Sequence, residues 1–281
     1  MKKPKMIIFD YGQTLLSEPD IDFLRGEEAL FKYIIRNKNG ITPKQACDFS
    51  QELFERIGVV RELGMELHEW QFQRFLYEYL EIELSVPLPE AERIFWNSTS
   101  AGAIMPNAER MIDYINENGI RSGVISNIGW SGAALTDRIN RLLPRNRFEF
   151  IIASSEYMFR KPNPMLFELA LKKAGLNAGD AWFCGDNFKA DVEGSAAVGI
   201  FPVWYEGETQ EIPETGAGEA PETPETDAGG LQQEEAGGMD IRDENGSAVS
   251  YFSRRVGAAP DCEHLHIHDW NEMIVVLEGL K

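Results

Sequence analysis

Met6-Ile7-Ile8-Phe9-Asp10-Tyr11-Gly12-Gln13-Thr14 runs from four apolar residues straight into a carboxylate, a glycine and a hydroxyl. An unbroken apolar run of this length bounded by turn residues suits a strand buried on both faces, as in a parallel sheet. An aspartate at its end would then lie at the carboxyl edge of the sheet, where α/β folds bind ligands. Taken alone, the pattern suits equally an aspartate that caps the next turn. Similar runs recur at Ser122–Ile125, Phe148–Ala153, Ala181–Cys184 and Phe201–Trp204, and helical periodicity fills the stretches between the later ones. Pro106-Asn107 opens one helix, with Met111, Ile112 and Ile115 on one face and Gly119 past its end; Pro164 opens another, closed at Gly175. Alternating strand and helix predicts an α/β fold, a doubly wound, mostly parallel sheet covered on both faces.

Residues 19–100 read differently, with no convincing strand. Helical stripes fall at Phe23/Leu30/Phe31/Ile34/Ile35, at Ala46/Phe49/Leu53/Phe54 and at Trp70/Phe72/Phe75/Leu76/Leu80. Thr42-Pro43 supplies a helix start, a capping hydroxyl before a proline at the first helical position. The expected organisation is an α/β core over 1–18 and 101–281, interrupted by an all-helical cap over 19–100. From Glu206 to about Gly246 the composition shifts to Glu, Pro, Thr, Gly and Ala, with Arg242 as its one basic residue. Such a segment has little apolar surface to offset ordering entropy, so 206–246 is expected to be a disordered acidic insertion within the core. After it, Leu265-His266-Ile267 predicts a strand, and Asp269 caps a helix whose face is Met273, Ile274, Val276 and Leu277.

The chain has 281 residues and a formal net charge of −19. That charge disfavours nucleic acid or an anionic membrane as a partner, because both are held by basic patches. Three cysteines, Cys47, Cys184 and Cys262, show no paired spacing and read as a reduced intracellular protein. The apolar run after the basic Met1–Lys5 is too short for a signal peptide, and no run approaches the roughly 20 apolar residues of a membrane span. A cytoplasmic protein, monomer or dimer, is the expectation.

Three further fragments change the weight of Asp10. Ser126-Asn127 again ends a strand and offers donors to a phosphoryl oxygen. Lys161, just before a helix, offers an ammonium that neutralises both a nucleophilic carboxylate and a transferring phosphoryl group. Gly185-Asp186-Asn187 ends a strand and is followed by Asp191, and oxygen ligands in this number suit Mg²⁺.

With Lys161-Pro162, Gly185-Asp186 plus Asp191, and Gly194-Ser195-Ala196-Ala197-Val198-Gly199 in this order and spacing, the sequence resembles the haloacid dehalogenase-like hydrolase superfamily, in its phosphatase-rich branch with a helical cap after the first strand. The resemblance runs over Met6–Trp204 and Leu265–Leu280. It implies Asp10 as nucleophile and metal ligand, Asp186 as the second metal carboxylate, and Asp191 acting through water or on Lys161. Ser126 and Lys161 would hold the phosphoryl group, with Thr14 and Asn127 in support. The implied reaction is Mg²⁺-dependent hydrolysis of a small phosphorylated metabolite through an aspartyl phosphate.

Gly12 departs from the pattern. The resemblance puts a carbonyl for Mg²⁺ and a proton-transferring carboxylate here, and glycine keeps only the carbonyl. Four readings follow: a substrate whose leaving group needs little protonation; replacement by a cap side chain, or by Gln13 or Tyr11 through water; a Schiff-base lysine among Lys32, Lys38 and Lys44, as in phosphonate-cleaving relatives; or a weak enzyme that binds a phosphorylated ligand or a protein. Slow or specialised phosphatase activity is preferred, and dehalogenation is disfavoured by the two metal-type carboxylates. His264, His266 and His268 alternate, so on a strand they share one face, as a metal cluster or as the polar side of an edge strand. The edge reading is preferred because Asp269, the one carboxylate in evident range, is needed as a cap. Trp130 walls the pocket or packs beneath the cap.

Overall fold

In the computed structural model β1 (Met6–Phe9) forms the middle of a six-stranded sheet. The structure describes residues 1–207 and 262–280, so nearly all of the acidic stretch 206–246 lies outside the described residues. Ile7 and Phe9 point into one apolar cluster while Met6 and Ile8 point into another, the period-two division of a strand covered on both faces. The first part of the chain then runs through β2 (Leu16–Ser17), α1 (Phe23–Leu30), β3 (Ile34–Asn37), α2 (Pro43–Arg56), α3 (Gly58–Glu62), α4 (Glu69–Tyr79), β4 (Ile82–Leu84), α5 (Leu88–Thr99) and β5 (Ala103–Ile104). The remainder is α6 (Ala108–Glu117), β6 (Arg121–Ser126), α7 (Gly132–Leu142), β7 (Ile151–Ala153), α8 (Pro164–Ala174), β8 (Ala181–Gly185), a π-helical turn (Phe188–Glu193), α9 (Gly194–Ala196), β9 (Phe201–Tyr205), β10 (Leu265–Ile267) and α10 (Trp270–Gly279).

The main sheet has the order β10-β9-β8-β1-β6-β7, and every pairing in it is parallel. Met111, Ile112 and Ile115 of α6, Leu135 and Ile139 of α7 and Trp270, Met273, Ile274 and Leu277 of α10 cover one face. Leu166, Phe167 and Ala170 of α8 cover the other. This is the doubly wound α/β arrangement expected from the sequence. Its strand ends β1, β6 and β8 are neighbours, so residues 10, 126 and 186 meet at one carboxyl edge.

Local chemistry sets the helix limits. Thr42 and Gln45 form a capping box around Pro43 at the start of α2, and Gly175 ends α8 in the left-handed conformation, φ 63°. Asp269 caps α10 by accepting from the Asn271 N–H, while Glu272 takes the His268 N–H rather than that of the cap residue.

The segment between β2 and β5 is helical except for one ribbon. β3 pairs antiparallel with β4, so the expectation of no strand within 19–100 is corrected. The α1 stripe stops at Leu30, and Ile34-Ile35 continue it in sequence but leave Ile35 70% exposed on a strand. Two adjacent β-branched residues favour an extended backbone, and the run is too short for the two periods to be told apart. β2 and β5 pair antiparallel, Leu16 with Ile104 and Ser17 with Ala103, tying the two chain crossings together. Among the described residues no helix is long and apolar enough to cross a membrane.

Candidate active site

Asp10 follows the last residue of β1, and its N–H donates to the Cys184 carbonyl at 2.8 Å, extending the ladder by one step. Its side chain is thereby fixed at the sheet edge, 8% exposed. Lys161 Nζ lies 2.6 Å from Asp10 Oδ1 and 2.7 Å from Asp191 Oδ1, and the lysine is almost wholly buried. Asn127 clamps the lysine backbone from both sides, its Oδ1 accepting the Lys161 N–H at 2.7 Å and its Nδ2 donating to the Lys161 carbonyl at 2.9 Å. Thr14 donates to Asp186 Oδ1 at 3.4 Å, and Trp204 Nε1 donates to the Asp186 carbonyl at 3.0 Å.

Asp191 reaches the site because position 185 lacks a side chain. A Cβ on Gly185 would stand 2.6 Å from the Asp191 Cβ and closer still to its carboxylate. The π-helical turn carries Asp191 back under the strand end, where Asn187 N–H donates to its Oδ2 at 3.0 Å. Gly194 allows a similar approach, since a Cβ there would stand 3.0 Å from Pro162.

Oxygens of Asp10, Asp186 and Asp191 all lie within 4.8 Å of one another, with one ammonium among them. Burial pushes the Asp10 carboxyl up to about 7; Lys161 opposes this, while Asp191 and Asp186 add to it. Burial and the neighbouring Asp191 also raise Asp186. Burial opposes the charge on Lys161, yet Asp10 and Asp191 outweigh it and hold the ammonium above its ordinary range. Three carboxylates around one cation are under-compensated, and oxygen donors in this number fit a hard divalent ion.

These groups line a cavity of about 430 Å³ that also takes in Gly12, Gln13, Ser126 and Asn127. Every predicted site residue except Thr14 lines it, and Thr14 lies behind, bonded to Asp186. Around Gly12 there is open space: a Cβ there would meet nothing within 4 Å. Lys32, Lys38 and Lys44 are exposed and do not line the cavity, which removes support from the Schiff-base reading. Trp130 does both things expected of it, lining the cavity and stacking on Trp96 of α5 at 4.9 Å.

Two wall residues were not legible in the sequence. Glu18, one residue past β2, lines the cavity, and its Oε1 accepts from Tyr11 at 3.0 Å, Trp96 at 2.9 Å and Arg138 at 2.8 Å. Arg160 lines it too and is ion-paired with the buried Glu66, which also accepts from Ser154 at 3.0 Å. Adjacency to Lys161 was the one available signal for Arg160; Glu18 is placed by the β2–β5 pairing, which two-residue strands do not announce.

A family model described as haloacid dehalogenase-like hydrolase matches residues 64–204, a range that holds Ser126, Lys161, Asp186 and Asp191 and begins after Asp10. The chain is 25% identical over 205 residues to a glyceraldehyde 3-phosphate phosphatase of Pyrococcus abyssi, covering 72% of this chain and 81% of that protein. It is 24% identical over 141 residues to a ribulose-1,5-bisphosphate 5-phosphatase of Halopiger xanaduensis, covering 48% and 58% respectively. A solved HAD phosphatase from Thermococcus onnurineus shares the fold with a TM-score of 0.51 at 20% identity, over 76% of this chain and 90% of that one. The chain belongs to the haloacid dehalogenase-like hydrolase family.

Proposed function

We propose that this protein is a Mg²⁺-dependent phosphatase of small phosphorylated metabolites, sugar phosphates among them, working through an aspartyl phosphate on Asp10. The observation that carries this reading is the buried Lys161 ammonium held between Asp10 and Asp191, 2.6 and 2.7 Å away, with Asp186 in the same cluster. Phosphatase relatives at 25% and 24% identity support the substrate class. Residues 19–100 would act as a cap whose movement admits substrate and, later, water.

The Asp10 carboxylate would attack phosphorus, breaking the bond to the leaving oxygen and forming the acyl phosphate. Lys161 and Ser126 would hold the equatorial oxygens as charge spreads over them. Water would then attack the same phosphorus, releasing inorganic phosphate and restoring Asp10. Asp10, Asp186 and the Gly12 carbonyl would hold the Mg²⁺, while Asp191 holds Lys161 beside it; when bound the ion would supply charge neutralisation at the phosphoryl oxygens.

Proton supply to the leaving group decides the substrate range. Burial drives the Tyr11 hydroxyl far above its ordinary value, reinforced by Glu18, so Tyr11 is a poor acid. The Glu18 carboxylate is committed to Arg138, Trp96 and Tyr11. Neither replaces a carboxyl at position 12 well, which favours leaving groups that need little protonation. A panel of acetyl phosphate, aryl phosphates and sugar phosphates, with and without Mg²⁺, tests the proposal. Phosphate release that requires Mg²⁺ supports it; no release from any member, despite Mg²⁺-dependent binding of a phosphoryl mimic, would instead describe a phospho-ligand-binding module.

A further inference from the structure

We infer that Glu206, His266 and His268 form a binding site for one first-row transition-metal dication of the Zn²⁺ or Cu²⁺ kind, at the edge of the main sheet. His266 and His268 stand two residues apart in and just after β10, so both imidazoles emerge on one face. The carboxylate that the sequence did not supply comes from the neighbouring chain segment. Glu206 follows β9, and its N–H donates to the Ile267 carbonyl at 2.9 Å, which fixes it between the two histidines.

The ligand atoms are already gathered, all three within 4.8 Å of one another. Glu206 Oε2 lies 2.9 Å from His266 Nε2 and 4.0 Å from His268 Nδ1. Four-coordinate zinc with bonds of about 2.0–2.2 Å spaces its ligand atoms about 3.4 Å apart, between those two distances. Small side-chain rotations therefore suffice.

The surroundings restrict the ligands before any ion arrives. The His266 ring stacks on Trp204 at 4.2 Å and 13°, and Trp204 is itself held by its bond to the Asp186 carbonyl. The His268 backbone is held by Glu272 at the start of α10, 2.9 Å away. Such outer support is what keeps metal ligands oriented. His264, the third alternating histidine, is bonded to the Cys262 carbonyl at 2.8 Å and stands outside the cluster. Two imidazoles and one carboxylate suit zinc, copper or nickel, whereas the all-oxygen cluster around Asp10 suits magnesium, so the two sites select different ions. Three protein ligands leave a fourth position open to water or another donor.

The test uses the full-length, metal-stripped protein in excess Mg²⁺, titrated with Cu²⁺ and followed by electron paramagnetic resonance, with Zn²⁺ as competitor. We expect one tight equivalent whose spectrum reports two nitrogen ligands and which Zn²⁺ displaces only in large excess, since Cu²⁺ binds such N/O sites more tightly. His266→Ala, His268→Ala and Glu206→Gln should each weaken binding by about tenfold or more, since losing a direct ligand costs at least what losing a supporting residue does. Asp186→Asn and His264→Ala should leave it unchanged, and circular dichroism confirms that each variant is folded. A two-nitrogen signal that survives in the His266→Ala/His268→Ala double variant, or one abolished by His264→Ala, would overturn the assignment.

Discussion

Gly185→Ala is the smallest change that should disable the site without touching any group proposed to react. The added methyl would stand 2.6 Å from the Asp191 Cβ and nearer to its carboxylate, where ordinary contact begins at 3.4 Å. Position 185 lies in β8, hydrogen-bonded on both sides, so the strand cannot give way cheaply and Asp191 must retreat by about 1 Å. That retreat opens the 2.7 Å pairing with Lys161 and the 3.0 Å bond from the Asn187 N–H. A misplacement of about 1 Å in such a constellation costs roughly 10²-fold in rate, while overpacking one methyl destabilises by about 1–3 kcal/mol. The assay is kcat/KM with an aryl phosphate, beside a thermal melt to show that the variant is folded. A double-mutant cycle separates the clash from a general loss: in Asp191→Gly the Cβ and carboxylate that the methyl would strike are both gone, so adding Gly185→Ala should cost little more. Wild-type activity in folded Gly185→Ala would refute the claim that Asp191 must sit where it does.

Lys161→Met leaves Asp10 and Asp191 buried without their ammonium; activity should vanish, and the loss of one partner from a buried pair predicts destabilisation of about 3–5 kcal/mol, measured by denaturant unfolding. Gly12→Asp fits the open space, and should raise turnover of alkyl phosphates by about 10²-fold or more relative to aryl phosphates, read as a ratio of kcat values; a fall for both classes would mean that the native site uses another proton donor. Glu27, 1% exposed, has its carboxyl pushed up to about 7 by burial, partly offset by the bond from Tyr77 at 3.0 Å. The folded state therefore holds this proton more tightly than the unfolded chain does. Its stabilising contribution is complete below about pH 4.5 and is lost as pH rises towards 7, by about 3 kcal/mol. Glu27→Gln should remove that loss, so its melting temperature should gain on the wild type between pH 5 and pH 8; parallel curves would contradict the assignment.

β1, β8 and β9 of the main sheet were readable because each is a run of mainly apolar residues that are buried or nearly so, and such runs need no partner to be recognised. Met6–Phe9, Ala181–Gly185 and Phe201–Tyr205 stand where the sequence put them, to within one residue. The β3–β4 ribbon was missed because its pairing is long-range and Ile35, exposed on it, reads in sequence as the continuation of a core stripe. At the site, residues on strand ends were legible because the sheet fixes their direction. Glu18 and Arg160 were not, since each owes its place to a partner far away in sequence, Arg138 in one case and Glu66 in the other. The histidines show the same limit: their shared face followed from alternation, but Glu206, 60 residues from His266, could be brought to them only by the pairing of β9 with β10.

The central claim is that Asp10 becomes phosphorylated. Rapid acid quench during turnover of acetyl phosphate with Mg²⁺, followed by peptide mass spectrometry, tests it most directly. The account predicts a transient phosphoryl group on the peptide containing Asp10, absent in Asp10→Asn and without Mg²⁺. Turnover with no modified peptide, or with the label on any other residue, would contradict it.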